Sequence, residues 1–281
     1  MAETKGFAKR RKRVIPGFGL SMGITISMLS IIVIIPMASI VINASGLSLQ
    51  EFFSIITEKQ VLSAYKVSFF CALAAALINS VFGVILAWIL VRYEFPGKRI
   101  LDGFIELPFA LPTAVAGIAL TTLYSDQGWI GQFFARFDIK ISYTRIGIVI
   151  AMVFIGIPFV VRAIQPVLEK LDGQYEEAAS MLGASRSRSF RKVIFPEIFP
   201  AVLTGFGLAL ARGIGEYGSV VFIAGNIPYK TQIAPLMIMT KLEQFEYSQA
   251  TAIALAMLLV SFAILFALNL IQSHANKVVK E

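Results

Sequence analysis

The stretch YEEAASMLGASRSRSFRKVIFPEIFP, residues 175–200, lies between long apolar regions and is itself rich in charges, small residues and proline. Its first residues include acidic side chains, which favour the first turn of a helix because they lie near the positive end of the helix dipole. Asp172 is suited to start that helix, and Gly183 is suited to end it in the left-handed conformation. Ser185 can then cap a second short helix with four basic residues. The stretch predicts a polar helical hairpin with small residues at its turn.

The composition of the whole chain indicates an integral membrane protein. Of its 281 residues, 57% are hydrophobic and 15% are charged, whereas about a quarter of a soluble domain is charged. One Cys and one His exclude a disulfide framework and a Cys/His metal site. Cys71 is expected to be buried packing and His274 to be solvated. The net charge of +8 comes from basic residues beside apolar segments, which favours a role in membrane orientation over nucleic-acid binding.

Six apolar segments predict an all-α fold with six transmembrane helices, because a spanning helix needs about 20 mainly apolar residues. These spans are predicted near residues 18–42, 67–91, 103–124, 146–161, 198–222 and 248–272. The remaining segments are a basic N-terminal tail (1–17), a long polar loop (162–197) and a C-terminal tail (273–281).

The distribution of Lys and Arg predicts the orientation of the spans. With the N-terminus in the cytoplasm, the inner segments hold 17 Lys and Arg residues and the outer loops hold 7. Since positive residues favour the cytoplasmic side, both termini and residues 162–197 are predicted to face the cytoplasm. Arg162 and Glu106 are placed at the membrane interface. The basic N-terminus also resembles a signal peptide, and cleavage after Ala44 stays open beside an uncleaved first span.

Two ionisable residues lie within the fifth predicted span. Arg212 and Glu216 are four residues apart, so they face the same side of a helix and can pair. A charge at mid-bilayer costs about 2.5–3.5 kcal/mol on insertion scales, and pairing or a wet cavity lowers that cost. One interpretation is a structural ion pair that locks this helix to a neighbour. The other is that Arg212 gives a positive potential to an anion path while Glu216 orients its side chain.

Glycine and proline residues in the predicted spans also have two interpretations, one structural and one functional. Gly215 and Gly218 surround the charged pair and could serve close helix packing or a flexible gate. Pro108 and Pro112 each remove a backbone hydrogen bond from the third span and bend it. Such a bend could open a vestibule or improve packing. We predict that these four residues contribute, with the charged pair, to a translocation path or its gate.

The order of residues in the hairpin resembles the EAA loop of bacterial ABC importer permeases. The matching residues, at the spacing of that family, are Glu177, Ala178, Ala179, Gly183, Val193, Ile194, Phe195 and Pro196. The family has Ile and Leu where this chain has Val193 and Phe195. The resemblance implies a type I importer permease of MetI-like architecture. It also implies that residues 162–197, named the EAA loop from here on, carry a coupling helix that docks on a cytoplasmic ATPase. The implied coupling residues are Glu177, Ala178, Ala179, Gly183 and Pro196.

ATP hydrolysis is assigned to another polypeptide, because this chain has no G-x-x-x-x-G-K-[ST] phosphate loop. The chain is thus predicted not to be an enzyme by itself and to bind no cofactor, with ATP and Mg²⁺ on the partner ATPase. A secondary anion transporter is disfavoured because residues 18–125 and 146–272 show no convincing internal repeat. A membrane-embedded enzyme is disfavoured because no nucleophile or metal constellation is visible.

Further segments resemble the T-type subunit of sulfate/thiosulfate permeases. They are RYEFPGKRILDGFIELPFALPTAVAGIAL (92–120), YEEAASMLGAS (175–185) and GEYGSVVFIAGN (215–226). The resemblance implies import of sulfate or thiosulfate across the bacterial inner membrane. Molybdate stays open as a substrate, since related molybdate permeases share the loop and the proline spacing. The implied partners are a W-type permease subunit, two copies of an ATPase and an extracytoplasmic sulfate-binding protein.

Overall fold

The computed structural model describes residues 18–171 and 173–278, with side chains described as far as Ser273. All regular secondary structure in these ranges is helical, so the predicted all-α class is confirmed. The expectations placed on Asp172, on the tail 1–17 and on the His274 side chain lie outside the described residues.

The helices of the described ranges take the numbers α1 to α12 in chain order. They are α1 (Phe18–Ala44), α2 (Leu49–Ile56), α3 (Lys59–Arg92), α4 (Lys98–Ala110), α5 (Thr113–Tyr124), α6 (Trp129–Ala135), α7 (Arg145–Lys170), α8 (Gln174–Met181), α9 (Arg186–Ile214), α10 (Gly218–Ala224), α11 (Ala234–Glu243) and α12 (Tyr247–Val278). By length and composition, five of them can cross a membrane within the described part of the chain, and the bent pair α4–α5 makes a sixth if it counts as one span.

Helix α1 belongs to a compact unit of its own, which ends at Leu47, and the described residues from Ser48 onward form the other unit. At 1.5 Å per residue, the 27 residues of α1 extend about 40 Å, which exceeds the roughly 30 Å of a bilayer core. A π-helical turn at Ser30–Ile34 lies in its middle. Most side chains of α1 are apolar and exposed within this unit, as suits a helix surrounded by lipid or by other subunits.

Three long helices, α3, α7 and α9, form the core of the second unit. Small residues let their backbones approach closely. A Cβ atom on Gly205 of α9 would lie 2.7 Å from the Cα atom of Val160 in α7, and one on Gly213 would lie 3.3 Å from the Ala72 Cβ in α3. Such packing is how helices associate inside a membrane, where lipid removes the hydrophobic drive between them. Cys71 is buried in this core, as predicted.

Helix α7 continues to Lys170, past the end near residue 161 that the sequence predicts for the fourth span. The reason lies at Arg162, which the sequence places at the interface. Its guanidinium pairs with the carboxylates of Asp102 (2.8 Å) and Glu106 (2.7 Å), both in α4. Because these two carboxylates compensate its charge, Arg162 can lie within the helix rather than at its end. The first part of the EAA loop is therefore a continuation of α7.

The third and fifth predicted spans are broken rather than continuous. Helices α4 and α5 meet at an angle of 115°, with Leu111 and Pro112 between them. Leu111 is extended (ψ 135°), as expected for a residue before proline. Pro108, in contrast, lies inside α4, which continues past it, so the bend belongs to Pro112. In the fifth span, α9 ends at Ile214 and α10 begins at Gly218.

Candidate functional site

The first arm of the EAA loop is helix α8, and Glu177, Ala178 and Ala179 lie in it. Glu177 is in the first turn, where the helix dipole stabilises a negative charge. The short helix projects from the bundle, and the side chains of Glu177 and Ala178 are exposed. The loop therefore presents Glu177 and Ala178 on an open surface.

The turn at Gly183 has the geometry of a Schellman motif. Gly183 has a φ of 77°, which is unfavourable for residues with a side chain. Its N–H donates to the carbonyl oxygen of Ser180 (2.9 Å), and the N–H of Ala184 donates to that of Ala179 (3.0 Å). These two bonds satisfy carbonyls at the end of α8 that would otherwise have no partner. Glycine at this position follows from the backbone and does not depend on any ligand.

Two large apolar residues at the tip of α8 were not predicted from the sequence as part of the site. Met181 is 90% exposed and Leu182 is 89% exposed. Large apolar side chains in this position cover no core of their own chain. Together with Glu177 they make a small apolar and acidic surface, of the kind that another protein covers.

The second arm of the EAA loop is continuous with the membrane helix. Ser185 has the extended backbone of an N-cap (ψ 154°), although its side chain makes no capping hydrogen bond. Helix α9 then runs from Arg186 without interruption, through a π-helical turn at Phe190–Ile194. Pro196 follows this turn at the start of a regular α-helical stretch, a position where its missing N–H does little harm. The separate second helix expected from the sequence is thus the first part of α9.

The two broken spans cross at their breaks. Gly218, the first residue of α10, faces Thr113, the first residue of α5, and a Cβ atom at Gly218 would overlap the Thr113 Oγ1 atom. A Cβ atom on Gly117 of α5 would lie 2.6 Å from the backbone oxygen of Ser219. Gly218 is therefore closely packed, whereas Gly215 is exposed and a Cβ atom there would meet only the backbone oxygen of Ala211, at 3.9 Å. We call this contact between α5 and α10 the helix crossing.

Arg212 and Glu216 pair across the break between α9 and α10. The distance from Arg212 Nη1 to Glu216 Oε2 is 2.6 Å. The other carboxylate oxygen of Glu216 accepts hydrogen bonds from the backbone N–H (2.7 Å) and the hydroxyl (2.8 Å) of Ser219. The Glu216 side chain is 2% exposed and that of Arg212 is 35% exposed. Glu216 is therefore fixed in the packing, while Arg212 offers part of its guanidinium to the surroundings.

A second ion pair ties the EAA loop to the bundle and was missed by the sequence reasoning. Arg92 Nη2, at the end of α3, lies 2.9 Å from Glu176 Oε1 in α8. The same nitrogen donates to the carbonyl oxygen of Leu171 at 3.1 Å. No cluster of His, Cys, Asp or Glu side chains in the described part of the chain is arranged to hold a metal ion.

A family model described as binding-protein-dependent transport system inner membrane component matches residues 79–281. The chain belongs to this family. It is 48% identical over 266 residues to the sulfate transport system permease protein CysT of Salmonella typhimurium, covering 95% of this chain and 96% of that protein. It is 47% identical to the protein of the same name from Escherichia coli K12, covering 96% of this chain and 98% of the relative. The protein of that name from Synechocystis is 48% identical and covers 90% and 89%.

Solved structures of importer permeases have the same fold. A bacterial ABC transporter that imports the acidic polysaccharide alginate matches with a TM-score of 0.76 at 14% identity, over 92% of this chain and 96% of that one. The MetNI methionine transporter matches with a TM-score of 0.55 at 14% identity, over 78% and 99%. The MetI-like architecture implied by the EAA loop is thereby confirmed. The chain is a multi-pass inner-membrane permease subunit of an ABC transporter.

The structure separates two candidate functional regions. The EAA loop has an exposed surface at one end of the bundle. The helix crossing provides a partly accessible guanidinium and two helix breaks inside the bundle. Among the path residues suggested by the sequence, Gly218 lies at the helix crossing against Thr113, the residue that follows Pro112, and Pro108 lies inside α4.

Proposed function

We propose that this chain is the T-type permease subunit of an ATP-driven importer of sulfate and thiosulfate. The observation that carries the proposal is the identity of about 48% with permeases named for sulfate transport, which extends over 95% of the chain. Such continuity includes the helix crossing and the EAA loop together. The proposal thus concerns the whole subunit rather than one motif.

The energy for import comes from a separate ATPase in this proposal. Two copies of that ATPase contact the EAA loops of the two permease subunits and hold ATP and Mg²⁺, while this chain binds no cofactor. Support comes from the exposed apolar pair Met181 and Leu182 beside the exposed Glu177. ATP can shift the permease between inward and outward access only if the ATPase binds the two states with different free energy. Glu177, Ala178, Ala179, Gly183 and Pro196 are the residues proposed to serve this contact.

The other proposed partners are a W-type permease subunit and an extracytoplasmic sulfate-binding protein. Large apolar side chains on α3 and α12 are exposed in the single chain, among them Phe70, Val81, Phe262 and Phe266. Within a membrane, such surface is covered by lipid or by a second permease subunit. The binding protein delivers the anion at the end of the bundle opposite the EAA loop.

The anion path is proposed to pass the helix crossing. A dianion cannot enter hydrocarbon unaided, so donors with positive potential must line its route. Arg212 supplies such a potential because its guanidinium is partly exposed, and Glu216 orients it from a buried position. Gly215 and the breaks at Pro112 and Gly218 allow the path to open and close. Pro108, inside the intact part of α4, is proposed to shape the wall of the vestibule.

The EAA loop and both termini are proposed to lie in the cytoplasm. A single-cysteine assay tests this, because the native Cys71 is buried. Ser187→Cys in the EAA loop and Gln127→Cys between α5 and α6 are both at exposed positions. In intact cells, a membrane-impermeant maleimide should label Gln127→Cys alone, and Ser187→Cys only after permeabilisation. Labelling of Ser187→Cys from outside would overturn the orientation.

Uptake by the reconstituted complex tests the substrate. Proteoliposomes holding both permease subunits and the ATPase receive ATP inside, with the binding protein and labelled sulfate, thiosulfate or molybdate outside. Sulfate and thiosulfate should accumulate only when ATP and the binding protein are both present. Preferential accumulation of molybdate would show that molybdate is the substrate and would leave the proposed role as a permease unchanged. Sulfate uptake driven by a proton gradient without ATP would overturn the proposal.

A further inference from the structure

Arg92 occupies a junction between the transmembrane core and the EAA loop. It is the last residue of α3, the 34-residue helix that packs against both α7 and α9. Its side chain reaches the end of α7 through the carbonyl oxygen of Leu171 (3.1 Å) and the first turn of α8 through Glu176 (2.9 Å). One guanidinium group therefore joins three helices at the base of the loop.

The second arm of the loop is fixed to the same junction by aromatic contacts. The Arg92 guanidinium lies over the Trp88 ring, 5.6 Å from its centre. The Trp88 ring meets the Phe190 ring edge to face at 5.4 Å, and Phe190 begins the π-helical turn of α9. Ile194, one turn further along α9, is buried. Both arms of the EAA loop are thus held by side chains of a single turn of α3.

The two adjacent acids of α8 have different surroundings. Glu176 is half-buried and faces Arg92. Glu177 is exposed, and no ion pair of Glu177 occurs in the described part of the chain. The partly buried pair is screened less by water and salt than an exposed pair would be. Glu176 is therefore engaged within the chain, while Glu177 is open to another protein.

We propose that Arg92 is a positioning residue that fixes the EAA loop to α3, so that a displacement of α8 is passed to the transmembrane core. The effect of Arg92 on transport rests on the proposed function, whereas the attachment of the EAA loop to α3 by Arg92 does not. With Arg92 in place, a force on α8 moves α3 and the helices packed on it. Without Arg92, α8 shifts against the bundle, and ATP is hydrolysed without a matching change of the spans.

Transport per ATP tests the consequence. In proteoliposomes of the full complex, Arg92→Ala should keep the rate of ATP hydrolysis within about twofold, while sulfate transported per ATP falls roughly tenfold, the size of effect expected when one partly buried charged contact is lost. Arg92→Glu should lower the sulfate transported per ATP at least as much. The charge swap, Arg92→Glu with Glu176→Arg, should recover a large part of the sulfate transported per ATP. Lys98→Ala, which breaks the neighbouring exposed pair of Lys98 with Glu94 (2.6 Å), is the matched control and should leave the ratio unchanged.

A distance measurement tests the fixing of the loop without any substrate. Spin labels at Phe82→Cys on α3 and Ser180→Cys on α8, both exposed positions, are placed in a Cys71→Ala background of the purified complex. The distance distribution should be narrow with Arg92 present and roughly twofold broader in Arg92→Ala and Glu176→Gln, because the loop moves more freely. The charge swap should narrow it again.

Three outcomes would overturn the proposal. They are an unchanged distance distribution in both single variants, a charge swap that restores nothing, and an Arg92→Ala complex that transports as much sulfate per ATP as the unmodified one. If Arg92→Ala lowers the amount of complex, Glu176→Gln decides alone, because it removes the charge and keeps the side-chain volume. Absence of sulfate uptake by the unmodified complex would instead refute the proposed substrate and leave the distance result standing.

Discussion

The EAA loop and the helix crossing are both candidates for function, yet they are built in opposite ways. The shape of the loop comes from hydrogen bonds between residues a few positions apart, and its tip at Met181 and Leu182 is open. The helix crossing joins residues about a hundred positions apart, such as Gly117 and Ser219, with almost no space between their backbones. The surface proposed to contact another protein can therefore be formed locally, whereas the helix crossing depends on close packing between distant segments.

The largest effect is expected at the charged pair beside the helix crossing. Arg212→Ala leaves the nearly buried Glu216 carboxylate without its cation, which should cost about 3 kcal/mol or more of folding free energy. We also expect anion flux to fall by more than the amount of assembled complex. Thermal unfolding of the purified complex and sulfate uptake normalised to complex are the two measurements.

The double variant Arg212→Ala/Glu216→Gln separates stability from transport. It removes both charges and keeps an oxygen that can accept the hydrogen bonds from Ser219. We expect most of the stability to return while sulfate uptake stays low. Recovery of uptake together with stability would show that the pair is structural only and would take Arg212 off the anion path.

The next largest effect is expected from Gly117→Ala at the helix crossing. The added methyl group meets the backbone oxygen of Ser219, which cannot turn aside as a side chain would, so the loss should be about 1–3 kcal/mol. Gly103→Ala in α4 is the control, since the space beside Gly103 is open, and alanine there should stabilise the helix by up to about 1 kcal/mol. Equal thermal unfolding midpoints for the two variants would contradict the tight packing assigned to the crossing.

The smallest effect on global stability is expected at the turn of the EAA loop. Gly183→Ala has free space but a φ of 77°, which costs about 1–2 kcal/mol for a residue with a Cβ atom. That cost is confined to the loop, so the unfolding midpoint of the bundle should change little. Gly173→Ala is the control, because Gly173 has an ordinary φ of −59° and open space.

Gly183→Trp extends the same test to coupling. The bulky side chain at the turn should uncouple ATP hydrolysis from sulfate uptake while the spans insert normally. The ratio of sulfate transported to ATP hydrolysed is compared with that of Gly173→Ala. A normal ratio in Gly183→Trp would argue against the role of the turn in coupling.

Parts of the site that depend on neighbouring residues could be predicted from the sequence. Gly183 as a left-handed helix end follows from its place between two polar helical segments. The proximity of Arg212 and Glu216 follows from their spacing. The two residues stay close although α9 ends between them, because the N–H of Glu216 donates to the carbonyl oxygen of Gly213 and continues the turn of the chain. At both places, the geometry depends on residues that are close in the sequence, so the sequence pattern predicts it.

Contacts between distant residues left no signal in the sequence pattern. Nothing near Arg92 in the chain indicates a contact with Glu176, so the sequence pattern does not predict this pair. Arg162 read as the end of a span, since the two carboxylates that compensate its charge come from α4. The sequence predicts a bend at Pro112, but not its angle of 115° or the packing of α5 against α10.

The tip of the EAA loop has a consequence for the life of the chain before assembly. Met181 and Leu182 keep about nine-tenths of their surface in water, and each forgoes roughly 1.5–3 kcal/mol of burial free energy. We therefore expect a newly made, unassembled copy to bind chaperones, proteases and other unassembled copies through this tip. We expect the amount of this chain that a cell retains to depend on the supply of the ATPase proposed to cover the tip.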